Sequence, residues 1–511
     1  MDLITLDFET FYDKDYSLRK MTTEAYVRDP RFEVIGVAVR VNNGETEWAS
    51  GTHEQIKKYL KTFDWGKAML LCHNTMFDGA ILNWRFDIRP RMYTDTLCIA
   101  RALHGTEASA SLGALSERYD IGVKGTEVLA AQGLLRGDFG PEALAAYGDY
   151  CINDVILTYK LFSIMARKFP KSELQLIDLT LRMYTEPSLE LDADLLASHL
   201  DDIKERKSKL LVDAGVTDKK ELMSNPKFAE LLKGFNVDPP MKISPTTDKE
   251  TFAFAKSDEG FKALLTHEND KVQSLVAARL GTKSTLEETR TQRFIDISAR
   301  GLLPVPVRYY AAHTGRWGGD DKINLQNLPS RGPNGKKLKR SIVAPEGYSL
   351  IDCDSSQIEA RVLAWLAGQD DLTSAFAKGD DVYKHMASSI YNVPVDGVSK
   401  DQRFVGKTTI LGAGYGMGAV KFQLQLQGMG VYIELEEARR IIDIYRSTNG
   451  AISQLWRDAN NMVQYMARGD SVQFGKSGVL QVDARKNAIM LPSGLPMFYH
   501  GLAAEKSERG Y

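Results

Sequence analysis

The chain has 511 residues, 43% of them apolar and 26% charged, with a formal net charge of −2. That is too long for one hydrophobic core, so two to four domains are expected, and the near-neutral balance neither demands nor forbids a nucleic-acid partner. Four scattered cysteines (Cys72, Cys98, Cys151, Cys353) without CxxC spacing argue against a disulfide framework or a zinc site. The start MDLITLDFETF lacks the basic region of a signal peptide, and no apolar stretch reaches membrane-spanning length. A soluble, reduced, cytoplasmic protein with no membrane partner is expected.

In chain order, residues 1 to about 165 read as α/β. Strands are predicted over LITLDFETF, EVIGVAVRV and AMLLCHN, and helices over LGALSERY and DYCINDVILTYKLFSIMARKF. Asp7 and Glu9 stand two apart in the first strand and so share a face. Asp78 follows the third strand, and Tyr150 and Asp154 stand at i and i+4 of a helix. Taken singly, each reads as readily as a surface carboxylate or a helical pair. Together they offer hard oxygen ligands for magnesium or manganese, and two such ions can polarise a phosphodiester and generate hydroxide. The ordered set D-x-E (Asp7, Glu9), N-x-x-x-D (Asn74 to Asp78) and Y-x-x-x-D (Tyr150, Asp154) resembles the proofreading-type 3′–5′ exonucleases of the DEDDy class. The resemblance implies an RNase H-like exonuclease domain over residues 1–180, with the four carboxylates as metal ligands and Tyr150 beside the attacking water.

Residues from about 185 to 295 are helix-rich and charged, in runs such as DADLLASHLDDIKERKSKLLVDAG and DKVQSLVAARLGTKSTLEETRTQRF. Long solvated helices of this kind suggest an arm or lever rather than a compact core. From about 296 the pattern returns to mixed α/β, and three segments stand out. HTGRWGGDDKINLQNLP (313–329) is a turn-rich loop. In SLIDCDSSQIEAR, Asp352 and Asp354 end an apolar run ahead of a predicted helix, where Asp354 and Ser355 can equally serve as helix caps. In DQRFVGKTTILGAGYGMG, Arg403, Lys407, Leu411 and Tyr415 recur every four residues and are expected to form one helical stripe. Two cations suit a triphosphate, and an apolar and an aromatic residue suit a base. VGKTT in this segment is not a P-loop, because position 401 is aspartate where that motif needs glycine.

Together these segments resemble the family A DNA polymerases of the DNA polymerase I type. T-G-R…N-L-Q-N-x-P appears as Thr314 to Pro329, D-x-S-Q-I-E-x-R as Asp354 to Arg361, and the R-x-x-x-K helix as Arg403 to Gly416. The resemblance implies an α/β multidomain chain: the exonuclease, then a right-hand polymerase with thumb (181–300), palm (301–375), fingers (376–480) and the start of a returning palm segment (481–511). It implies that Asp354 binds the catalytic magnesium at a strand end. Gln357, Glu359, Arg403, Lys407, Leu411 and Tyr415 would then serve the incoming deoxynucleoside triphosphate. Arg316, Asn324, Gln326 and Asn327 would meet primer-template DNA.

Three departures stand out: Leu411 where the family has an aromatic residue, Tyr383 where histidine is common, and Gly318–Gly319 in place of two serines. The family's His-Asp-Glu turn, which supplies the second palm aspartate, does not occur, so an incomplete palm served by a separate C-terminal polymerase fragment or subunit is expected. Two alternatives are an autonomous 3′–5′ exonuclease and a structural DNA-binding subunit. The basic runs 204–209 (KERKSK) and Lys336, Lys337, Lys339 and Arg340 are candidates for the duplex path, against the plainer reading of solvated charge.

Overall fold

Alternating apolar and polar residues in the first ten positions form β1 (Asp2–Thr10), the central strand of a five-stranded sheet. The computed structural model describes residues 1–125, 130–244, 247–255, 258–283, 285–329 and 335–503. β2 (Val34–Val41) runs antiparallel to β1 with Leu6 opposite Val39, and β3 (Thr46–Ala49) turns back beside β2. On the other side β4 (Ala68–Cys72) and β5 (Met92–Asp95) run parallel, giving the order β3-β2-β1-β4-β5. The sequence reading found β1, β2 and β4 but missed β3 and β5, whose four residues each are too short to show a period.

Helices cover the sheet. α1 (Thr23–Arg28), α2 (His53–Leu60), α3 (Thr75–Trp84), α4 (Thr96–His104), α5 (Leu112–Arg118), α6 (Pro141–Met165) and α7 (Lys171–Thr185) pack around a core that includes Ile4, Leu6, Phe8, Val37, Leu70 and Tyr93. α6 begins at proline, well suited to a first helical turn, and is longer than the predicted segment. Trp48 of β3 lies between sheet and helix. A Cβ on Gly36 of β2 would come within 2.3 Å of its ring, and one on Gly148 of α6 within 2.7 Å. α6 therefore rests on the sheet partly through this indole and partly through Cys151 and Val155 packed on Ala38.

α8 (Ala193–Asp213) opens the helical region. The predicted run 270–294 is broken into helices Asp270–Lys283 and Leu286–Arg300. The expectation of an arm without a compact core is corrected. Val216, Leu222, Phe228, Phe254, Phe261 and Leu275 form a core of their own. Inside it the fully buried Arg279 stacks on Phe228 and Phe254 and donates to the Leu222 carbonyl and Asn225.

Beyond residue 358, helices including Ile358–Ala367, Val382–Tyr391, Lys400–Ala413 and Leu435–Thr448 enclose another core around Phe376, Met386, Phe422 and Ile441. A four-stranded antiparallel sheet spans residues 473–498, so one sheet runs across position 480. The N-terminal sheet domain is pinned to the later chain by Asp321, which accepts from the Thr23 and Glu24 amides and the Tyr184 hydroxyl, and by Glu24, which pairs with Arg28 and Arg300. Among the described residues no helix is long and apolar enough to cross a membrane.

One local expectation fails. Residues 348–355 form no strand: Tyr348, Leu350 and Ile351 are 78%, 55% and 83% exposed, and Asp352 and Asp354 are exposed with them. A strand needs neighbours for its backbone N–H and C=O groups, and among the described residues no strand pairs with this stretch.

Candidate functional site

The N-terminal carboxylates converge at the end of β1. The register of β1 on β2 slips between Glu9 and Thr10, an irregularity of the kind that re-aims side chains beside sites. Asp78 lies in the first turn of α3, where its carboxylate accepts the Phe8 amide at 3.0 Å and so locks the helix to β1 between Asp7 and Glu9. From α6 come Tyr150 and Asp154 on one face, as their spacing requires, and Asp154 lies close enough to raise the Tyr150 hydroxyl. All five predicted residues are brought together.

Crowding the carboxylates together raises their affinity for protons. Burial, and then the charge of Asp154, pushes the Asp7 carboxyl up to about 7. Burial and the charge of Asp7 hold Glu9 and Asp78 well above the usual carboxylate range. Burial and Asp154 raise the Tyr150 hydroxyl in the same way. Such an arrangement favours a bound cation, because a cation relieves the like-charge repulsion that protonation otherwise relieves. Ligand atoms of Asp7, Glu9 and Cys151 all lie within 4.8 Å of one another, the one such three-residue group among the described residues. A hard divalent ion fits this donor set through the carboxylates; the Cys151 thiol donates to Asp7 at 3.6 Å.

Three neighbours escaped the sequence reading. The Tyr147 hydroxyl donates to Glu9 at 2.5 Å. Lys124 forms an ion pair with Asp154 and stands 4.9 Å over the Tyr150 ring. Cys151 is the third. Tyr147 and Cys151 carried a signal, since they lie one helical turn before Tyr150 and one residue after it. Lys124 carried none, being thirty residues from its partner.

In the C-terminal half, Glu359 is the meeting point. It accepts from Arg316 and from the Tyr415 hydroxyl, which joins three predicted residues from three segments. Arg403 donates to Asp381 at 2.7 Å, and Arg403 and Lys407 stand 5.3 and 6.0 Å from the ring of Tyr383. Leu411 lines a mainly apolar pocket of about 150 Å³ with Glu359, Tyr415 and Tyr445. The four-residue stripe is corrected at its end: the helix stops at Ala413, capped by Gly414, and Tyr415 sits in the following turn, where glycines 414 and 416 favour helix termination.

Asp354 is also corrected in place. It lies in the irregular exposed stretch rather than at a strand end, and it joins no metal-holding group among the described residues. Nor does it cap the helix, whose N-cap is Gln357 with a left-handed φ of 57° and no side-chain cap. In the 313–329 loop, Gln326 and Asn327 are exposed on a single 3-10 turn, and the buried Asn324 Oδ1 has no hydrogen-bond partner. The Gly318–Gly319 pair has a steric reason: a Cβ at these positions would come within 2.8 Å of Ala311 and 2.6 Å of Asn324.

Comparison with known proteins identifies a family for the C-terminal part of the chain. The pattern of DNA polymerase family A matches residues 197–472, more than half of the chain. The chain belongs to DNA polymerase family A. The DNA polymerase I of Pseudomonas aeruginosa is 28% identical over 453 residues, 81% of this chain and 47% of that protein. The thermostable DNA polymerase I of Thermus aquaticus is 39% identical over 145 residues, 28% of this chain and 17% of its own. The chain thus spans about half the length of the Pseudomonas relative. Its fold is similar to a solved structure of the POL domain of Pol1 from M. smegmatis in complex with DNA primer-template and dNTP, with a TM-score of 0.64, 19% identity and coverage of 92% of this chain and 76% of that one. Arg316, Asp354, Glu359, Arg403, Lys407 and Tyr415 fall inside the family A span, whereas the Asp7 cluster lies before it.

Proposed function

We propose that this family A chain joins a 3′–5′ proofreading exonuclease to the nucleotide-binding part of a DNA-directed DNA polymerase. The observation that carries the exonuclease is the convergence of Asp7, Glu9, Asp78, Tyr150 and Asp154 around a group of ligand atoms within 4.8 Å. Magnesium, with manganese as a substitute, would supply Lewis acidity and a more acidic water when bound there. Asp7, Glu9, Asp78 and Asp154 would hold it. Tyr150, kept protonated by its surroundings, would orient the attacking water, and Tyr147 and Cys151 would fix the carboxylates of Glu9 and Asp7.

On the polymerase side, Arg403 and Lys407 would neutralise an incoming deoxynucleoside triphosphate, with Asp381 aiming the Arg403 guanidinium. Glu359, held by Tyr415, would bound the sugar, and Arg316 would reach the primer terminus. Primer-template DNA is the substrate of this reading. Two-metal nucleotide addition also needs a second carboxylate beside Asp354.

A second reading, an autonomous exonuclease with a DNA-gripping C-terminal region, is favoured by the exposed, unsupported position of Asp354. Both are tested with the purified chain and magnesium. Single-stranded DNA should be shortened from its 3′ end, and Asp7→Ala should abolish this. Primer extension, with and without an added family A C-terminal fragment, separates the readings: extension that is lost in Asp354→Ala supports the polymerase, and none in any mixture supports the second.

A further inference from the structure

The loop after α5 carries a feature that the proposed chemistry does not use. Lys124 reaches from it to the Asp154 carboxylate, on the face where Tyr150 also stands, and its ammonium lies over the Tyr150 ring. The loop is clasped to α6 on either side of this contact. Asn153 donates to the Val123 carbonyl at 2.9 Å, and Lys160 donates to the Ile121 carbonyl at 3.0 Å. Asp154 is nearly buried, with 7% of its side chain exposed, while Lys124 keeps 32%. The ammonium thus sits on the solvent side of a carboxylate that the acidic cluster needs for cation binding.

We propose that Lys124 is a positioning residue that acts as a built-in, displaceable counter-ion: it holds Asp154 and Tyr150 in register and competes with the divalent ion for Asp154. The inference rests on the exonuclease reading of the cluster. An ammonium brings one charge and no ligand field, whereas a divalent ion brings two charges and gathers several oxygens at once. The ion therefore wins at millimolar concentration, and Lys124 leaves Asp154 when it does. Displacement strains the clasp, because the Val123 and Ile121 carbonyls tie the same short loop to α6. The device keeps buried carboxylates from facing one another without positive charge, at the cost of weaker ion binding.

Two measurements on the full chain test this. In calorimetric titration with manganese chloride, Lys124→Met should bind about two- to fivefold more tightly than the unaltered chain, the factor expected for losing a modest ion pair. Lys124→Arg should restore the weaker affinity, and Asp7→Asn should abolish the site. Equal or weaker binding by Lys124→Met overturns the counter-ion role while leaving the exonuclease reading intact. Manganese binding that ignores Asp7→Asn overturns that reading instead. The second measurement needs no variant. Tryptic cleavage after Lys124 should accelerate several-fold on adding manganese, and a rate that is unchanged or slower counts against displacement.

Discussion

Arg300 holds Glu24 with two hydrogen bonds, Nε to Oε1 at 2.9 Å and Nη2 to Oε2 at 2.6 Å, across 276 positions of sequence. Glu24 is 1% exposed, so its charge depends on Arg300 and Arg28 for compensation. Truncation at Arg300 leaves a buried carboxylate with one partner fewer. Arg300→Ala should cost about 2–4 kcal/mol in chemical denaturation, and adding Glu24→Gln should recover part of it. A loss near zero means that Arg28 alone is sufficient.

The Asp7 carboxyl gives a pH dependence of definite sign. Its folded value of about 7 lies above the 3.8 of the free side chain, so over that interval the native chain holds a proton that the unfolded chain has lost. The stability from this group is complete below pH 4 and is lost as the pH rises through 7. Glu9 and Asp78 act in the same direction. With a chelator present, the chain should melt at lower temperature at pH 8 than at pH 6. Asp7→Asn should flatten that difference and stabilise the pH 8 form by on the order of 2 kcal/mol. A melting temperature that climbs between pH 6 and 8 and is unaffected by Asp7→Asn contradicts the assignment.

Tyr147→Phe removes the hydroxyl that donates to Glu9 while keeping the ring stacked on Phe139. A hydrogen bond to a charged group is worth about 1.5–3 kcal/mol, so exonuclease turnover should fall about tenfold or more with the circular dichroism unchanged. Full activity in this variant means that Glu9 is held by other contacts.

The two basic runs should behave differently. Arg206 and Lys207 face Glu287 and Glu288, Lys337 pairs with Asp202, and Lys339 lies 3.5 Å from Asp352. Lys336 and Arg340 are exposed and have no carboxylate partner among the described residues. If those two meet duplex phosphates, each alanine substitution should lower the slope of log affinity on log salt by about 0.9. Arg206→Ala should leave the slope where it was. Equal slopes across all three variants would take the 336–340 run off the duplex path.

What the sequence revealed and what it hid follow from the range of each interaction. Asp7 with Glu9, and Tyr150 with Asp154, were legible because two- and four-residue spacings fix which side chains share a face. Asp78 was legible from its place after β4. Lys124, Arg300 and Asp381 were not, because each finds its partner through the fold. The strand expected at residues 349–354 shows the complementary failure: an apolar run reports a preference, and the preference is realised only where a neighbouring strand takes up its backbone groups. Tyr415 left its helix because the spacing count passed over the glycines at 414 and 416, yet it still reaches Glu359 from the turn.

Trp48 acts as a shim between Gly36 and Gly148. Together with the direct packing of Cys151 and Val155 on Ala38, it helps set the height of α6 above the sheet, and therefore the gap between Asp154 on the helix and Asp7 on the strand. Packing tolerance and cation geometry are in this way one mechanical quantity. A side chain added at either glycine, or a smaller ring at position 48, would shift α6 and carry Tyr150 and Asp154 with it.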